Sequence, residues 1–105
     1  MTNLEFNCEN IKVTREKKKL FGGVKLEETT ISLSEINSAR KEMFKEILNS
    51  VTIVLKNGQE EFITAEELLD GNMLNDMFEL LVEKRVENNY QLEMIDIETL
   101  EETKL

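Results

Sequence analysis

The chain has no histidine, no proline and no tryptophan, and its only cysteine is Cys8. Without histidine it lacks the most common general base and the most frequent transition-metal ligand. Cys8 follows Leu4 and Phe6 in strict alternation, which predicts a thiol buried on the apolar side of a strand. The sequence therefore predicts a protein that is not an enzyme and that has no cofactor and no metal site.

Long apolar runs are also missing from the sequence. No stretch approaches the ~18 residues that a membrane span needs, and the chain does not start with the basic-then-apolar pattern of a signal peptide. A single cysteine cannot form a disulfide within the chain, which favours a reducing compartment. We expect an intracellular, cytoplasmic protein, or one within a virion assembly, that does not bind membranes.

Charge is distributed unevenly along the 105 residues, whose net charge is −9. Residues 1–58 contain ten Lys and Arg against eight Asp and Glu, a net charge of +2, whereas residues 59–105 contain three against fourteen, a net charge of −11. The acidic half would repel phosphate groups, so we expect no direct nucleic-acid binding. It is compatible with another protein that has a basic surface as the partner.

Residues 3–33 have the pattern of N-terminal strands with a long hairpin arm. Gly22-Gly23 supplies the turn of the arm. The residues around the turn form either a basic and aromatic partner-binding loop or an ordinary solvated hairpin tip; they are Lys17, Lys18, Lys19 and Phe21. Val24 and Leu26 have one parity and Ile31 the other, which predicts a β-bulge near Glu28-Thr29.

Residues 34–89 have the pattern of a helix, a hairpin and further helices. Apolar residues recur at helical spacing from Ile36 to Leu48, which predicts a helix over 35–49. Asn57-Gly58 predicts a tight turn between two strands in a hairpin over 51–63. Thr64 and Glu67 have the spacing of a capping box, which predicts a short helix over 65–70.

The segment after that short helix predicts a second main helix over 73–88, ended by Asn88-Asn89. Residues 90–105 predict a last strand at 90–98 and a frayed acidic tail. Asp70, Asn72 and Asp76 are a weak match to a calcium loop, but the spacing of oxygen ligands fails, and helix capping explains Asp70-Gly71-Asn72 better.

These elements predict one small α+β domain over 1–105, in which antiparallel hairpins pack with two main helices and a short one. The expected core is Phe6, Val24, Ile36, Met43, Phe44, Ile47, Val51, Ile53, Leu55, Phe62, Leu68, Leu74, Phe78 and Leu81.

The function that these patterns favour is a non-catalytic protein–protein interaction module, such as an assembly factor or a component of a larger complex. A homo-oligomer is compatible with this function. The composition, rich in Lys, Glu and Asn and free of His, is similar to that of small accessory proteins of bacteriophages and mobile elements, which are mainly assembly parts or inhibitors of host factors.

The alternative is an acidic nucleic-acid mimic that inhibits a nucleic-acid-binding host enzyme. Four carboxylates recur at i, i+3, i+7 and i+11 on the second main helix, so they line one side of it. They are Asp76, Glu79, Glu83 and Glu87. A solvated helix face has the same pattern, so the pattern alone does not separate the two functions.

Overall fold

The protein is built mainly from strands, with one principal helix. The computed structural model describes all 105 residues. Strands account for 54% of the residues and helices for 18%, which confirms an α+β protein. The strands are β1 (Thr2–Phe6), β2 (Asn10–Lys18), β3 (Val24–Ser32), β4 (Ile36–Phe44), β5 (Ile47–Leu55), β6 (Glu60–Thr64), β7 (Gln91–Asp96) and β8 (Glu101–Lys104). The helices are α1 (Asn72–Glu83) and α2 (Arg85–Asn88), and a 3₁₀ turn covers Leu33–Glu35.

The strands form two sheets. One has three antiparallel strands in the order β1-β2-β3, and the other has five in the order β6-β5-β4-β7-β8. Neighbouring strands in the second sheet are antiparallel, except that β4 and β7 are parallel. The helical segment that connects β6 to β7 returns the chain to the other end of the sheet, so β7 runs in the same direction as β4.

A single core fills the space between the two sheets and α1. The five-stranded sheet contributes Val51 and Ile53, the three-stranded sheet contributes Ile11 and Val13, and Phe78 represents the buried face of α1. Seventeen buried residues form this one cluster. The arrangement leaves the far end of the β2–β3 hairpin outside the core.

The predicted helix over 35–49 is wrong, because this segment forms β4, a tight turn and β5. The strand register shifts between Ile36 and Ser38 and again between Glu42 and Met43. The first shift inserts Asn37 into β4, so the buried residues Ile36 and Ala39 lie three apart, a spacing that resembles a helical period. The second shift inserts Asn49 into β5, beyond the apolar residues that predict the helix. Phe44 and Ile47 add the same spacing only because they flank the turn.

The predicted helix over 65–70 is also wrong, although its capping box forms. The Thr64 hydroxyl accepts the Glu67 N–H at 3.2 Å, and a Glu67 carboxylate oxygen accepts the Thr64 N–H at 3.0 Å. The chain then extends at Leu68, which forms a parallel bridge with Thr2. Backbone pairing with β1 therefore limits this segment to a single turn.

The second main helix is confirmed, but it is interrupted. α1 ends at Glu83, Lys84 leaves helical geometry, and α2 continues for one turn. Asn89 ends α2 in the left-handed conformation, as the sequence predicts. The Asp70 side chain accepts the N–H of Asn72 at 3.0 Å, which places this aspartate in the turn before α1.

Several local predictions have clear outcomes. The β5–β6 hairpin with its turn at Asn57-Gly58 and the last strand, β7, are confirmed. The frayed tail is wrong, because β8 pairs with the open edge of β7. Cys8 is exposed rather than buried, because β1 ends at Phe6 and the Asn7 side chain accepts the N–H groups of Glu9 and Asn10 in a turn.

The core prediction holds for half of its members. Ile36, Val51, Ile53, Leu68, Leu74, Phe78 and Leu81 are buried. Phe6, Met43 and Leu55 are half-buried, whereas Val24, Phe44, Ile47 and Phe62 are exposed. The exposed members lie in the arm, beside the β4–β5 turn and on an edge strand, where no second layer covers them.

Candidate functional site

The β2–β3 hairpin projects from the body as a two-stranded arm. Every residue from Glu16 to Thr30 is exposed, so no other element covers either face of this ribbon. Gly22 and Gly23 have φ values of +88° and +82°, which L side chains rarely adopt, and they make the turn. The structure thus confirms the hairpin arm that the glycine pair predicts.

Apolar side chains lie along the arm although it is exposed. Leu20 and Phe21 at the tip are 91% and 96% exposed, and Val24 and Leu26 are 56% and 62% exposed. Val24 and Leu26 lie opposite Lys18 and Glu16, on the face that points away from the core. Exposed clusters of this kind mark interaction sites more often than isolated apolar residues do.

The predicted bulge near Glu28-Thr29 is wrong, because β2 and β3 pair without a register shift from Asn10–Ser32 to Lys18–Val24. The change of parity has another cause. At the base of the arm Ile31 points into the core, whereas Val24 and Leu26 lie beyond the core and point outward. The parity change therefore marks the residue at which the arm leaves the body.

The charges toward the tip of the arm are mainly positive. Between Glu16 and Leu26 the chain contains four lysines and no acid other than Glu16 itself. Lys17 Nζ lies 2.9 Å from a carboxylate oxygen of Glu27. This hydrogen bond, together with the nearby positive charges of Lys25 and Arg15, holds the pKa of Glu27 below its usual value. Lys18 and Lys19 are exposed and free of ion pairs.

Arg15 fixes the base of the arm to the other sheet. It points inward like Ile11 and Val13, and its guanidinium donates to the Glu67 carboxylate at 3.0 Å, to the Phe62 carbonyl at 2.7 Å and to the Glu61 carboxylate. Burial alone would lower the pKa of Arg15, but its bonds to the two carboxylates raise it. One side chain therefore joins the arm, strand β6 and the Thr64–Glu67 turn.

We call this cluster of Arg15, Glu61, Glu67 and the Phe62 carbonyl the anchor, and the Glu67 carboxylate is its centre. Burial alone would raise its pKa, but the Thr64 N–H, the Thr2 and Thr64 hydroxyls and Arg15 lower it. The charged carboxylate is thus the favoured form in the folded protein. The anchor sets the direction of the arm, and it is built from residues that are far apart in sequence.

The acidic helix face is only partly continuous. Asp76, Glu79 and Glu83 are exposed on α1, as the helical spacing predicts. Glu87 lies on α2, beyond the interruption at Lys84, and Lys84 Nζ lies 3.6 Å from its carboxylate. The structure therefore brings three of the four predicted carboxylates together on one helix and separates the fourth.

A cleft of about 450 Å³ lies between the β4–β5 turn and the start of α1. Met43, Ile47, Leu48 and Ala65 supply its apolar lining, and Glu46 is its only titratable side chain. A single carboxylate does not provide the acid and base pair of a hydrolase site. No group of three or more Cys, Asp and Glu side chains lies close enough together to hold a metal ion.

Sequence reasoning missed the role of Arg15 and the placement of Arg40. Arg15 continues the alternation of Ile11 and Val13, and that inward parity was the available signal. Arg40 lies on the face of the five-stranded sheet away from α1, where its Nε is buried without a hydrogen-bond partner. Because the sequence predicts a helix over 35–49, it does not indicate that Arg40 lies on a face of a sheet.

The helices are too short to cross a membrane, since the longest, α1, has 12 residues. Comparison with known proteins found no matching family model, no similar curated protein and no similar solved structure.

Proposed function

We propose that the protein is a non-catalytic protein–protein interaction module of a larger complex, and that the β2–β3 arm is its binding element. The observation that carries this proposal is the uncovered ribbon from Glu16 to Thr30. A two-stranded hairpin without a second layer is only marginally stable in water. An arm that keeps four large apolar side chains in solvent is best explained by a partner that covers them.

The chemistry of the arm indicates what the partner surface contains. Phe21 and Leu20 suit an apolar pocket, and aromatic anchors of this kind dominate the binding energy of many interfaces. Lys18 and Lys19 suit carboxylates on the rim of such a pocket, where charges set the association rate and the orientation. The partner surface that fits is therefore an apolar pocket with an acidic rim.

Affinity purification from the cells that make the protein tests this proposal. The bait is the full chain, either unchanged or with Phe21→Ala. We expect the unchanged bait to retain a partner that the Phe21→Ala bait loses, because hot-spot aromatic residues typically contribute ~2 kcal/mol or more. Val86→Ala is the matched control, since Val86 is also exposed, at 86%, but lies on α2.

Two results bear directly on the arm. Retention of the partner by the Val86→Ala bait and its loss from the Phe21→Ala bait supports the proposal. Equal retention by both baits would show that the arm tip does not bind the partner.

The alternative function, an acidic mimic of nucleic acid, draws support from Asp76, Glu79 and Glu83 on the exposed face of α1. Such an inhibitor occupies a basic groove, so its binding weakens steeply with salt. A bait with all three carboxylates changed to amides would lose a nucleic-acid-binding enzyme under this alternative and would keep the arm-bound partner under the main proposal.

A further inference from the structure

The two sheets have four edge strands, and only one is long and uncovered. β1 and β6 have five residues each and β8 has four. β1 is bridged to Leu68, and the Phe62 carbonyl on β6 accepts from Arg15. β3 has nine residues, no bulge and no proline. Proteins normally cover, shorten or interrupt an edge of this kind, because it is a template for strand pairing.

The hydrogen bonds show which residues of β3 face this open edge. Lys19 N–H donates to the Gly23 carbonyl at 3.2 Å, and Leu33 N–H donates to the Glu9 carbonyl at 2.9 Å. Alternate residues of an antiparallel pair exchange such bonds, so the odd-numbered residues of β3 bond to β2. The N–H and C=O groups of Val24, Leu26, Glu28 and Thr30 therefore point to the open edge.

This pattern limits how a second β3 strand could pair there. When two copies of this edge pair antiparallel, even-numbered residues of one copy must lie opposite even-numbered residues of the other. The twofold axis that relates the two copies therefore passes through a single residue position. An axis at Lys25, Glu27 or Glu28 places two like charges directly opposite each other, which destabilises a sheet. An axis at Val24 would run the strand into the Gly22-Gly23 turn.

An axis at Leu26 avoids both problems. Lys25 of each copy then lies opposite Glu27 of the other, in a pair that is not hydrogen-bonded and whose side chains are closest. Lys25 has no carboxylate within 4.0 Å in its own chain, and it lies opposite Lys17 on β2. The second copy supplies the opposite charge that Lys25 lacks.

We propose that the open edge of β3 pairs with the same edge of a second copy of this chain, antiparallel about Leu26. The pairing joins the two arms into one four-stranded sheet and gathers Val24 and Leu26 of both copies on its outer face. This inference goes beyond the proposed function and does not rest on it. Leu20 and Phe21 lie outside the paired segment, 24–28, so they stay free to contact another protein.

A cysteine cross-link tests the register of this dimer. The chain carries Leu26→Cys in a Cys8→Ser background, which leaves the introduced thiol as the only one. Residues opposite each other in a hydrogen-bonded antiparallel pair have Cα atoms ~5.5 Å apart, which falls within the ~4.4–6.8 Å that a disulfide bridges. We expect mild oxidation to give a covalent dimer of the folded protein.

Val24→Cys in the same background is the matched control, because Val24 lies on the same strand and face but opposite Glu28 of the second copy. We expect about tenfold less covalent dimer from it than from Leu26→Cys at equal protein concentration, since only the paired thiols have a raised effective concentration. Adding Glu28→Cys to the Val24→Cys chain should restore cross-linking. Equal, low cross-linking of the Leu26→Cys and Val24→Cys chains would overturn the proposal.

The charges give an independent check with the same readout. Chains with Leu26→Cys and either Lys25→Glu or Glu27→Lys should each form less homodimer, because each places like charges opposite each other. A mixture of the two should form mainly the mixed dimer. Unchanged homodimer in both, with no preference for the mixed dimer, would exclude pairing about Leu26.

Discussion

At the scale of single residues, Arg15 connects the arm to the body. Its guanidinium contacts two carboxylates and one carbonyl, all on the far side of the interface between the sheets. Removing one partner of a partly buried ionic cluster leaves the others unpaired, and this costs more than the contact itself contributed.

We therefore predict that Arg15→Met lowers the free energy of unfolding by about 1–3 kcal/mol, measured by urea denaturation. Methionine keeps much of the apolar stem and removes only the donors. Lys18→Met, on the exposed part of the arm, is the control and should change stability by no more than ~0.5 kcal/mol. An equal effect of the two substitutions would show that the ionic cluster does not stabilise the fold.

Tyr90 is a second residue with a measurable role. It is buried, and its hydroxyl donates to the Leu81 carbonyl near the end of α1. Burial raises the pKa of Tyr90 to about 12. Because the phenol must stay neutral in the folded state, its contribution to stability is complete below the ordinary pKa of 10.0 and is lost as the pH rises toward about 12.

The chain has one tyrosine and no tryptophan, so the absorbance change that accompanies phenol ionisation reports on this group alone. We predict that it ionises near pH 12 in the folded protein and near its ordinary value in urea. Ionisation of the folded protein at the ordinary value would contradict the buried phenol.

At the scale of elements, the β4–β5 hairpin shows how a turn overrides a helical pattern. Lys45 and Glu46 have φ values of 50° and 66°, which a two-residue hairpin turn requires and which non-glycine residues adopt at a cost. The strands are held by pairing along their length with each other and with neighbouring strands.

We predict that Glu46→Gly stabilises the protein by about 0.5–1 kcal/mol, because glycine removes the strain at this turn and the gain is only partly offset by its unfolded-state entropy. Gly58→Ala, at a φ of +90° in the β5–β6 turn, should have the opposite effect. The urea midpoints of both variants check these signs, and destabilisation by Glu46→Gly would argue against the hairpin.

The elements that the sequence predicts correctly have signals carried by adjacent residues. Asn57-Gly58, Gly22-Gly23 and Asn89 each specify a local backbone conformation, and the structure has a turn or a helix end at each. The helix over 35–49 failed because the bulge at Asn37, which places Ile36 and Ala39 three residues apart, depends on pairing with another segment, β5. The anchor at Arg15 was out of reach for the same reason, since Glu61 and Glu67 are distant in sequence.

Part of the candidate site could be predicted from the sequence, and part could not. The basic and aromatic residues of the arm and three of the helix carboxylates are exposed where their spacing placed them. The prediction that Val24 lies in the core is wrong, because a sequence pattern does not show where the second layer of a fold ends. Val24 and Leu26 lie beyond that layer.

At the scale of the whole molecule, the body and the arm differ in burial and in charge. The body contains the one core cluster and most of the negative charge, whereas the arm adds almost nothing to the core and carries four lysines and four exposed apolar residues. The arm is therefore expected to be dispensable for folding and required for binding.

The most direct test replaces Lys18–Val24 with Asn-Gly, which closes β2 and β3 with a short turn next to the hydrogen-bonded Lys17–Lys25 pair. We predict that this shortened protein unfolds within ~1 kcal/mol of the unchanged chain and, used as the bait, retains none of the partner that the unchanged chain retains. Full retention of the partner by the folded, shortened protein would contradict the assignment of the arm as the binding element.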